Sequence, residues 1–354
     1  MKLNINQCAN LVANIAQHTT VLIEGPSGTG KSSILHMLAE RFPNHRPVYI
    51  DCTQIDVGDI QIPAVDHATK TSTFYPNEIF GTNDTRSIIL CLDEFGKAPR
   101  PVQNALLPII LDRRVGYRPL PRSDAGESLV FGTTNLASEG VGDSLQMHVR
   151  NRMSVVTMRK PTAPEWVEWG VANGVHHAVL AWVTDTPQVL AEEDTVSSPD
   201  QNPYIFYRQE QRKAFVTPRS LAAAGRMLNC REALGDDDAM RCALAGALGA
   251  RAALDLMAYV ELADGLPTWA SIINAPEQAK LPTTPTTNMM TVHRAVHRVE
   301  KDTLDNVLVY LKRLPKELQA VFATNLLRQK TKSTWTALNR EFTRWCVENS
   351  WVLR

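Results

Sequence analysis

Short apolar runs alternate with amphipathic helical patterns over the first 160 residues of the chain. Five runs are candidate strands, and several of them are apolar nearly throughout, as expected of strands that are covered on both faces of a sheet. They lie at residues 21–24, 48–52, 88–92, 129–133 and 155–158. Strands that alternate with helices predict an α/β fold, here a doubly wound, parallel, five-stranded sheet.

After residue 160 the strand pattern ends and apolar residues recur with helical spacing. We predict three domains: an α/β domain at 1–160, an α-helical domain at 161–264 and a helical C-terminal extension at 265–354. Two prolines and four threonines at 282–287 predict an extended linker, because they disfavour a helix. Two later stripes predict buried helix faces. Their members are Leu304, Val307, Leu308 and Leu311, then Trp335, Leu338, Phe342 and Trp345.

The composition gives the chain no strong overall charge. It has 354 residues, with 37 Lys and Arg against 37 Asp and Glu, so a nucleic-acid or membrane partner would have to meet a local patch. Six cysteines without C-x-x-C spacing are typical of reduced core thiols and not of a disulfide framework or zinc site. Asparagines interrupt the apolar residues near the start, which argues against a secretion signal. We therefore expect a cytoplasmic protein without a membrane segment.

A glycine-rich motif follows the first apolar run directly. Residues 25–32 are a complete G-x-x-x-x-G-K-[ST] phosphate-binding loop, although the isolated string also occurs in other Gly-rich turns. Its backbone N–H groups can turn onto phosphates, Lys31 can reach the terminal phosphates, and the Ser32 hydroxyl can ligate Mg²⁺. The helix predicted at 33–41 points its positive end at the same anion. The predicted nucleotide-binding residues here are Gly25, Pro26, Ser27, Gly28, Thr29, Gly30, Lys31, Ser32 and Ser33.

Two adjacent acids end the third apolar run. Asp93 and Glu94 follow a buried-strand pattern, which predicts that both carboxylates lie at the carboxyl edge of the sheet. Asp93 can complete the Mg²⁺ shell with Ser32, and Glu94 can orient or deprotonate the attacking water. A solvated turn is the alternative for an isolated Asp-Glu pair.

Three further positions carry polar groups suited to phosphoryl chemistry. Asn135 follows the fourth run and can hydrogen-bond the water or the γ-phosphate, or else cap a turn. Arg150 and Arg152 precede the fifth run and can stabilise charge on a transferring phosphoryl group, or else be ordinary solvated arginines. Arg219, at a predicted helix start, can contact nucleotide from the second domain.

In this order and spacing, these motifs resemble an AAA+ ATPase of the MoxR-like, dynein-related branch over roughly residues 1–260. Residues 92–107, LDEFGKAPRPVQNALL, are similar to the family pattern L-D-E-[IF]-x-[KR]-A-P-x-x-x-Q-x-A-L-L. The resemblance implies an α-helical lid after the α/β core. It also implies Asp93 and Glu94 as Walker B acids, Asn135 as sensor 1, Arg152 as arginine finger and Arg219 as sensor 2. The family's D-R-F is Asn-Arg-Met at 151–153, so Arg150, Arg152 or both remain candidates for the finger.

The resemblance further implies ATP and Mg²⁺ as cofactors and a ring, usually a hexamer, that remodels or activates a partner protein. In this family the partner often has a von Willebrand factor A domain. Residues 55–75 and 113–118 resemble the family's inserts, the second a hairpin, and ordinary solvent loops are the alternative. The phosphate loop does not distinguish ATP from GTP. Two other functions stay open: a nucleic-acid motor or loader, and a nucleotide-gated ring scaffold with little turnover.

Two histidine patterns and a basic segment give weaker signals. His293 and His297 have i, i+4 spacing but lack the glutamate and third ligand of a catalytic zinc helix. His176 and His177 are adjacent and are not expected to face one ligand from a regular helix. Residues 288–354 carry twelve Lys and Arg against six Asp and Glu, which we interpret as a solvated helix face and not a nucleic-acid site.

Overall fold

The computed structural model describes residues 1–136, 145, 147–207, 210 and 212–350. It divides into two compact units, Met1–Lys160 and Pro161–Arg354. The first unit contains helices α1 (Ile5–Ile15), α2 (Ile34–Arg41), α3 (Val57–Ile60), α4 (Arg100–Asp112) and α5 (Met147–Arg150). Its strands are β1 (Lys2–Leu3), β2 (Val21–Gly25), β3 (Arg46–Asp51), β4 (Gln61–Asp66), β5 (Thr71–Pro76), β6 (Ile88–Asp93), β7 (Arg114–Val115), β8 (Arg118–Pro119), β9 (Leu129–Asn135) and β10 (Ser154–Met158).

Six strands form one parallel sheet in the order β1-β10-β2-β9-β6-β3. The predicted α/β class and the five predicted strands are confirmed, with ends that differ by one or two residues. The prediction of five strands in all is wrong, because β1 adds a sixth next to β10. Two residues are too few to show any hydrophobic period, so the sequence gives no sign of this edge strand.

The sheet is covered on both faces, and strand β6 shows this most clearly. Every residue of β6 is buried. Ile88, Leu90 and Leu92 pack in one hydrophobic cluster with α4, whereas Ile89 and Cys91 pack in a second cluster with α1 and α2. Since strand side chains alternate between faces, this division explains why the sequence of β6 is continuously apolar.

Two antiparallel hairpins project from this unit. Strands β4 and β5 pair within the segment predicted as the first insert, and β7 pairs with β8 at the predicted second hairpin. The first hairpin exposes several apolar side chains: Ile62, Val65, Phe74 and Tyr75. The functions of both inserts stay predictions.

The second unit is helical in its described residues. Its helices are α6 (Ala163–Ala172), α7 (His177–Asp185), α8 (Pro218–Asn229), α9 (Arg231–Leu234), α10 (Asp237–Leu248), α11 (Ala250–Asp264), α12 (Trp269–Asn274), α13 (Pro285–Arg298), α14 (Leu304–Leu311), α15 (Lys316–Arg328), α16 (Lys330–Leu338) and α17 (Arg340–Glu348). One hydrophobic cluster contains residues from Ala163 to Trp345. The division after residue 264 stays a prediction.

The linker predicted at 282–287 is wrong for its second half, where helix α13 begins. Thr284 is the N-cap, and its side chain exchanges capping-box hydrogen bonds with Thr287. Pro285 occupies the first helical position, where a missing N–H costs nothing and the fixed φ suits the helix. The same residue types that break a helix interior therefore start this helix.

The two C-terminal stripes have different outcomes. Leu304, Val307, Leu308 and Leu311 are all buried, as predicted. Leu338 is 79% exposed, so its assignment to the second stripe is wrong. Helix α16 ends at Leu338 and α17 begins at Arg340, and helical spacing is not continuous across that break.

The cysteines are all free thiols, which agrees with the prediction that they form no disulfides. Cys8, Cys52 and Cys91 are buried, but Cys230 and Cys242 are exposed, so the prediction of core thiols is wrong for these two. No helix in the described part of the chain combines the length and apolar character that crossing a membrane requires.

Candidate functional site

The glycine-rich loop leaves strand β2 at Gly25 and enters a single 3-10 turn, Lys31–Ser33, before α2 begins at Ile34. Gly28 and Gly30 have φ angles of 71° and 91°, a region that side chains with a Cβ rarely adopt. At Gly25 an added Cβ would lie 2.8 Å from the Met158 carbonyl oxygen. Glycine at these positions therefore permits both the turn and the close approach of β2 to β10.

Lys31 connects the loop to the end of the neighbouring strand. The residue is only 7% exposed, and its Nζ donates to the carbonyl oxygens of Gly25 and Pro26 at 2.8 and 2.9 Å. It also donates to Asn135 Oδ1 at 2.8 Å, across 104 sequence positions. Since β2 and β9 pair in parallel up to Gly25 and Asn135, the sheet brings these two side chains to the same edge.

Asp93 forms a second connection at this edge. Its carboxylate is 7% exposed and accepts from Ser32 Oγ at 3.0 Å to Oδ1 and 2.9 Å to Oδ2. It also accepts from the Tyr49 hydroxyl at 2.7 Å and from Thr133 Oγ1. All three donors are neutral hydroxyls, so these bonds leave the negative charge of the carboxylate unneutralised. A buried carboxylate beside a serine hydroxyl is a donor set that suits Mg²⁺.

Tyr49 was not identified from the sequence. It lies in β3, which pairs with β6 in register Tyr49 to Cys91, two residues before Asp93. Burial, followed by the hydrogen bond to Asp93, raises the pKa of the Tyr49 hydroxyl. The hydroxyl therefore stays protonated and continues to donate to Asp93. The only sequence signal was a polar-tipped aromatic near the end of a predicted strand, which by itself predicts no partner.

Glu94 has an unusual backbone conformation directly after Asp93. Its φ is 53°, in the left-handed region, and its N–H donates to Thr133 Oγ1 at 3.4 Å. Its Oε2 lies 3.0 Å from Lys97 Nζ, close enough for an ion pair but without hydrogen-bond alignment. Non-glycine residues in this region cost about 1–3 kcal/mol and cluster at functional sites. Glu94 thus joins the end of β6 at Asp93 to the 3-10 turn Phe95–Lys97.

The predicted arginines occupy three different settings. Arg150 ends α5, and its guanidinium pairs with Glu24, the residue before the glycine loop, with Nη1 2.5 Å from Oε1. Arg152 lies exposed in the turn after α5. Arg219 lies exposed in the first turn of α8, in the second unit. Within the first unit the structure therefore brings together Lys31, Ser32, Asp93 and Asn135, with Glu94 adjacent in sequence.

One known protein family matches a segment of the first unit. Residues 20–153 match the family model described as the AAA domain, dynein-related subfamily. The match covers less than half of the chain, but it includes every first-unit site residue described above. No curated protein gives a significant match.

Solved structures that show some similarity to this chain include the RuvB Holliday junction branch migration motor of Thermotoga maritima. It is 17% identical, with 87% of this chain and 86% of that chain covered and a TM-score of 0.38. NtrX from Brucella abortus in complex with ADP is 15% identical, with 96% and 67% covered and a TM-score of 0.37. Neither similarity is strong enough to support an argument about function. Residues 20–153 of the chain are therefore similar to the AAA domain of the dynein-related subfamily.

Proposed function

We propose that this protein is a Mg²⁺-dependent ATPase of MoxR type that forms a ring and remodels or activates a partner protein. The observation that supports it most directly is the hydrogen-bonded group at the sheet edge. Lys31 contacts Asn135, and Ser32 contacts Asp93, with Glu94 next in sequence. These side chains come from the ends of two neighbouring strands, β6 and β9, and from the loop that follows β2, the strand on the other side of β9.

Each side chain has a distinct task in hydrolysis. Lys31 exchanges its contacts with the Gly25 and Pro26 carbonyls for the terminal phosphate oxygens of ATP. Ser32 and Asp93 are the residues that would hold Mg²⁺, which when bound offsets negative charge on the phosphates. Asn135 contacts the γ-phosphate or the attacking water. Glu94 orients or deprotonates that water once its carboxylate leaves Lys97.

Substitution of Glu94 by Gln tests this assignment. We expect Glu94→Gln to bind labelled ATP as tightly as wild type while turnover falls by roughly 10²–10⁴-fold, the usual contribution of a general base. Glu78→Gln, at an exposed position of the same unit, is the matched control and should hydrolyse ATP normally. Normal turnover by Glu94→Gln would contradict the proposed role.

The arginine finger is proposed to come from a neighbouring subunit, and Arg152 is the better candidate. Arg150 is paired with Glu24 of its own chain, whereas Arg152 is exposed. A finger supplied by the neighbour makes hydrolysis depend on assembly. Arg219 is proposed as sensor 2 within a lid at 161–264, since it is exposed at a helix start.

Mixing two inactive variants tests the finger and the ring together. Each proposed site needs Glu94 from one subunit and Arg152 from its neighbour. In a mixed ring, a site is complete where an Arg152→Ala subunit supplies Glu94 and an adjacent Glu94→Gln subunit supplies Arg152. We expect turnover to recover partially when the two variants are mixed. The control is Arg122→Ala, at another exposed arginine, which should hydrolyse ATP without mixing. If light scattering shows that mixed oligomers form but turnover does not recover, Arg152 is excluded as a finger that acts between subunits.

We propose that the partner is a protein, for example one with a von Willebrand factor A domain. Capture with Glu94→Gln in its ATP-bound state would identify what is retained. Hydrolysis that DNA stimulates, with steep loss as salt rises, would instead favour a nucleic-acid motor.

A further inference from the structure

The second unit contains a small cavity, about 70 Å³, whose polar lining is basic. Four histidines and two arginines line it, and no carboxylate is among the lining residues. These are His176, His177, His293, Arg294, His297 and Arg298. They belong to the start of α7 and the last turns of α13, and Asn229 at the end of α8 completes the polar lining.

Helix starts and helix spacing bring these groups together. His176 is the N-cap of α7 and His177 its first residue, so both rings face the cavity and stack with centroids 4.2 Å apart. The sequence-based expectation for this pair concerned a regular helix, and it does not apply here because His176 lies before the first helical residue. On α13, His293 with His297 and Arg294 with Arg298 each have i, i+4 spacing and lie on neighbouring stripes.

Two buried polar atoms of α13 have no hydrogen-bond partner among the residues that the structure describes. His293 is 3% exposed, and its Nδ1 has no hydrogen bond in the described residues. Arg294 is 9% exposed; its Nη2 donates to the Pro267 carbonyl oxygen, but its Nε has no partner in the same described part of the chain. Buried polar groups in folded proteins are normally satisfied by protein, water or ligand. Both atoms belong to side chains that line the cavity, although the atoms themselves are closed to solvent, so the hydrogen bonds to a ligand would come from other nitrogen atoms of the lining.

The charges around the cavity favour an anion. Burial lowers the pKa of His176 and of His293 to about 4, and burial with neighbouring positive charges lowers the pKa of His177. These imidazoles are neutral near pH 7, so the cavity's charge comes from Arg294 and Arg298. His176 Nδ1 accepts from the Ala178 N–H at 3.2 Å, which leaves its Nε2 as the donor. The nearby Arg231 is already paired with Asp237 and Asp264.

We propose that this cavity binds a tetrahedral phosphate-class oxyanion, either inorganic phosphate or the phosphate group of a monoester. Guanidinium and imidazole N–H groups form charge-assisted hydrogen bonds with such oxygens. Since one water needs roughly 10–15 Å³ of cavity volume, the 70 Å³ cavity has room for about five to seven water-sized groups, enough for the five heavy atoms of a phosphate ion. Two arginines beside the imidazoles would repel a metal cation, and no cluster of three metal-ligating side chains occurs among the described residues.

Histidine-resolved NMR of the full chain tests the site separately from the phosphate loop. Inorganic phosphate is titrated into wild type, and the ring signals of the nine histidines are followed. We expect saturable shifts of the four cavity histidines, and the same shifts in Lys31→Ala, whose phosphate loop is disabled. A nucleoside monophosphate in place of inorganic phosphate distinguishes a monoester ligand from the free ion.

Variants at the rim establish which groups bind. Arg298→Gln and His297→Gln change exposed positions and should weaken phosphate binding about tenfold or more, with unchanged melting curves. Arg340→Gln, an exposed arginine of the same unit, is the matched control and should bind like wild type. The proposal is overturned if Lys31→Ala abolishes the shifts, if Arg298→Gln leaves them unchanged, or if Zn²⁺ but not phosphate produces them. None of these outcomes depends on whether the protein hydrolyses ATP.

Discussion

The sheet-edge site of the first unit and the histidine-lined cavity of the second are assembled from opposite chemistry. The first presents carboxylate, hydroxyl and amide oxygens around one lysine, a set of groups that suits the Mg²⁺ and phosphate ligands proposed for it. The second presents imidazole and guanidinium N–H groups without an acid. The parallel sheet forces strand ends to one edge, so its site is made of short contiguous motifs. Packed helices have no such common edge, and the cavity draws its residues from positions more than a hundred residues apart.

The largest effect that would test this contrast is expected from Lys31→Ala. We expect ATP affinity to fall roughly a hundredfold or more, because each charged hydrogen bond to phosphate contributes about 1.5–3 kcal/mol. Titration of a fluorescent ATP analogue measures the change. Phosphate binding in the helical unit should be unaffected, and a parallel loss there would mean that the two sites are not independent.

A pH titration of stability sharpens the contrast next. The pKa of His293 is about 4 in the folded chain, below its ordinary value near 6.5, so between these values the unfolded chain binds more protons. Stability of the helical unit should therefore fall as pH drops from about 6.5 towards 4, by up to about 1.4 kcal/mol per pH unit from this residue.

Urea unfolding at several pH values, followed by hydrogen exchange of α13, measures this dependence. His293→Gln should flatten the slope, whereas His36→Gln, at an exposed position of the first unit, should not. Saturating phosphate should oppose the acid-induced loss, because an anion stabilises the protonated imidazoles. A slope that is the same in His293→Gln and wild type would contradict the assignment.

The smallest expected effect concerns Tyr49. Tyr49→Phe removes one of the hydroxyls that donate to Asp93, worth about 0.5–1.5 kcal/mol. We expect the Mg²⁺ concentration for half-maximal ATP hydrolysis to change by two- to tenfold, with the fold intact. Tyr117→Phe, at an exposed tyrosine of the β7–β8 hairpin, is the control. An unchanged Mg²⁺ dependence would show that Ser32 and Thr133 position Asp93 without Tyr49.

The sequence predicted the first unit well because strand period and motif spacing act locally. Asp93 and Asn135 each end a recognisable apolar run, so their shared edge followed from the parallel sheet. Tyr49 was missed because its contact with Asp93 depends on strand register, which no local pattern encodes. The helical unit was predicted less well. Thr284 and Pro285 disfavour a helix when they lie inside it but favour one when they lie at its start. The cavity histidines come from two helices that meet only through tertiary packing.

Strand β6 has a consequence for how substitutions far from the site should behave. Its side chains are clamped alternately into two hydrophobic clusters, and its last residue is Asp93. The position of the Asp93 carboxylate therefore depends on the packing of the core, where a change of even one methylene in volume shifts neighbouring atoms. A displacement of about 1 Å can cost a hundredfold in rate. Shortening the Leu90 side chain, which lies in the core, should therefore shift the position of the Asp93 carboxylate as well as lower the stability of the fold.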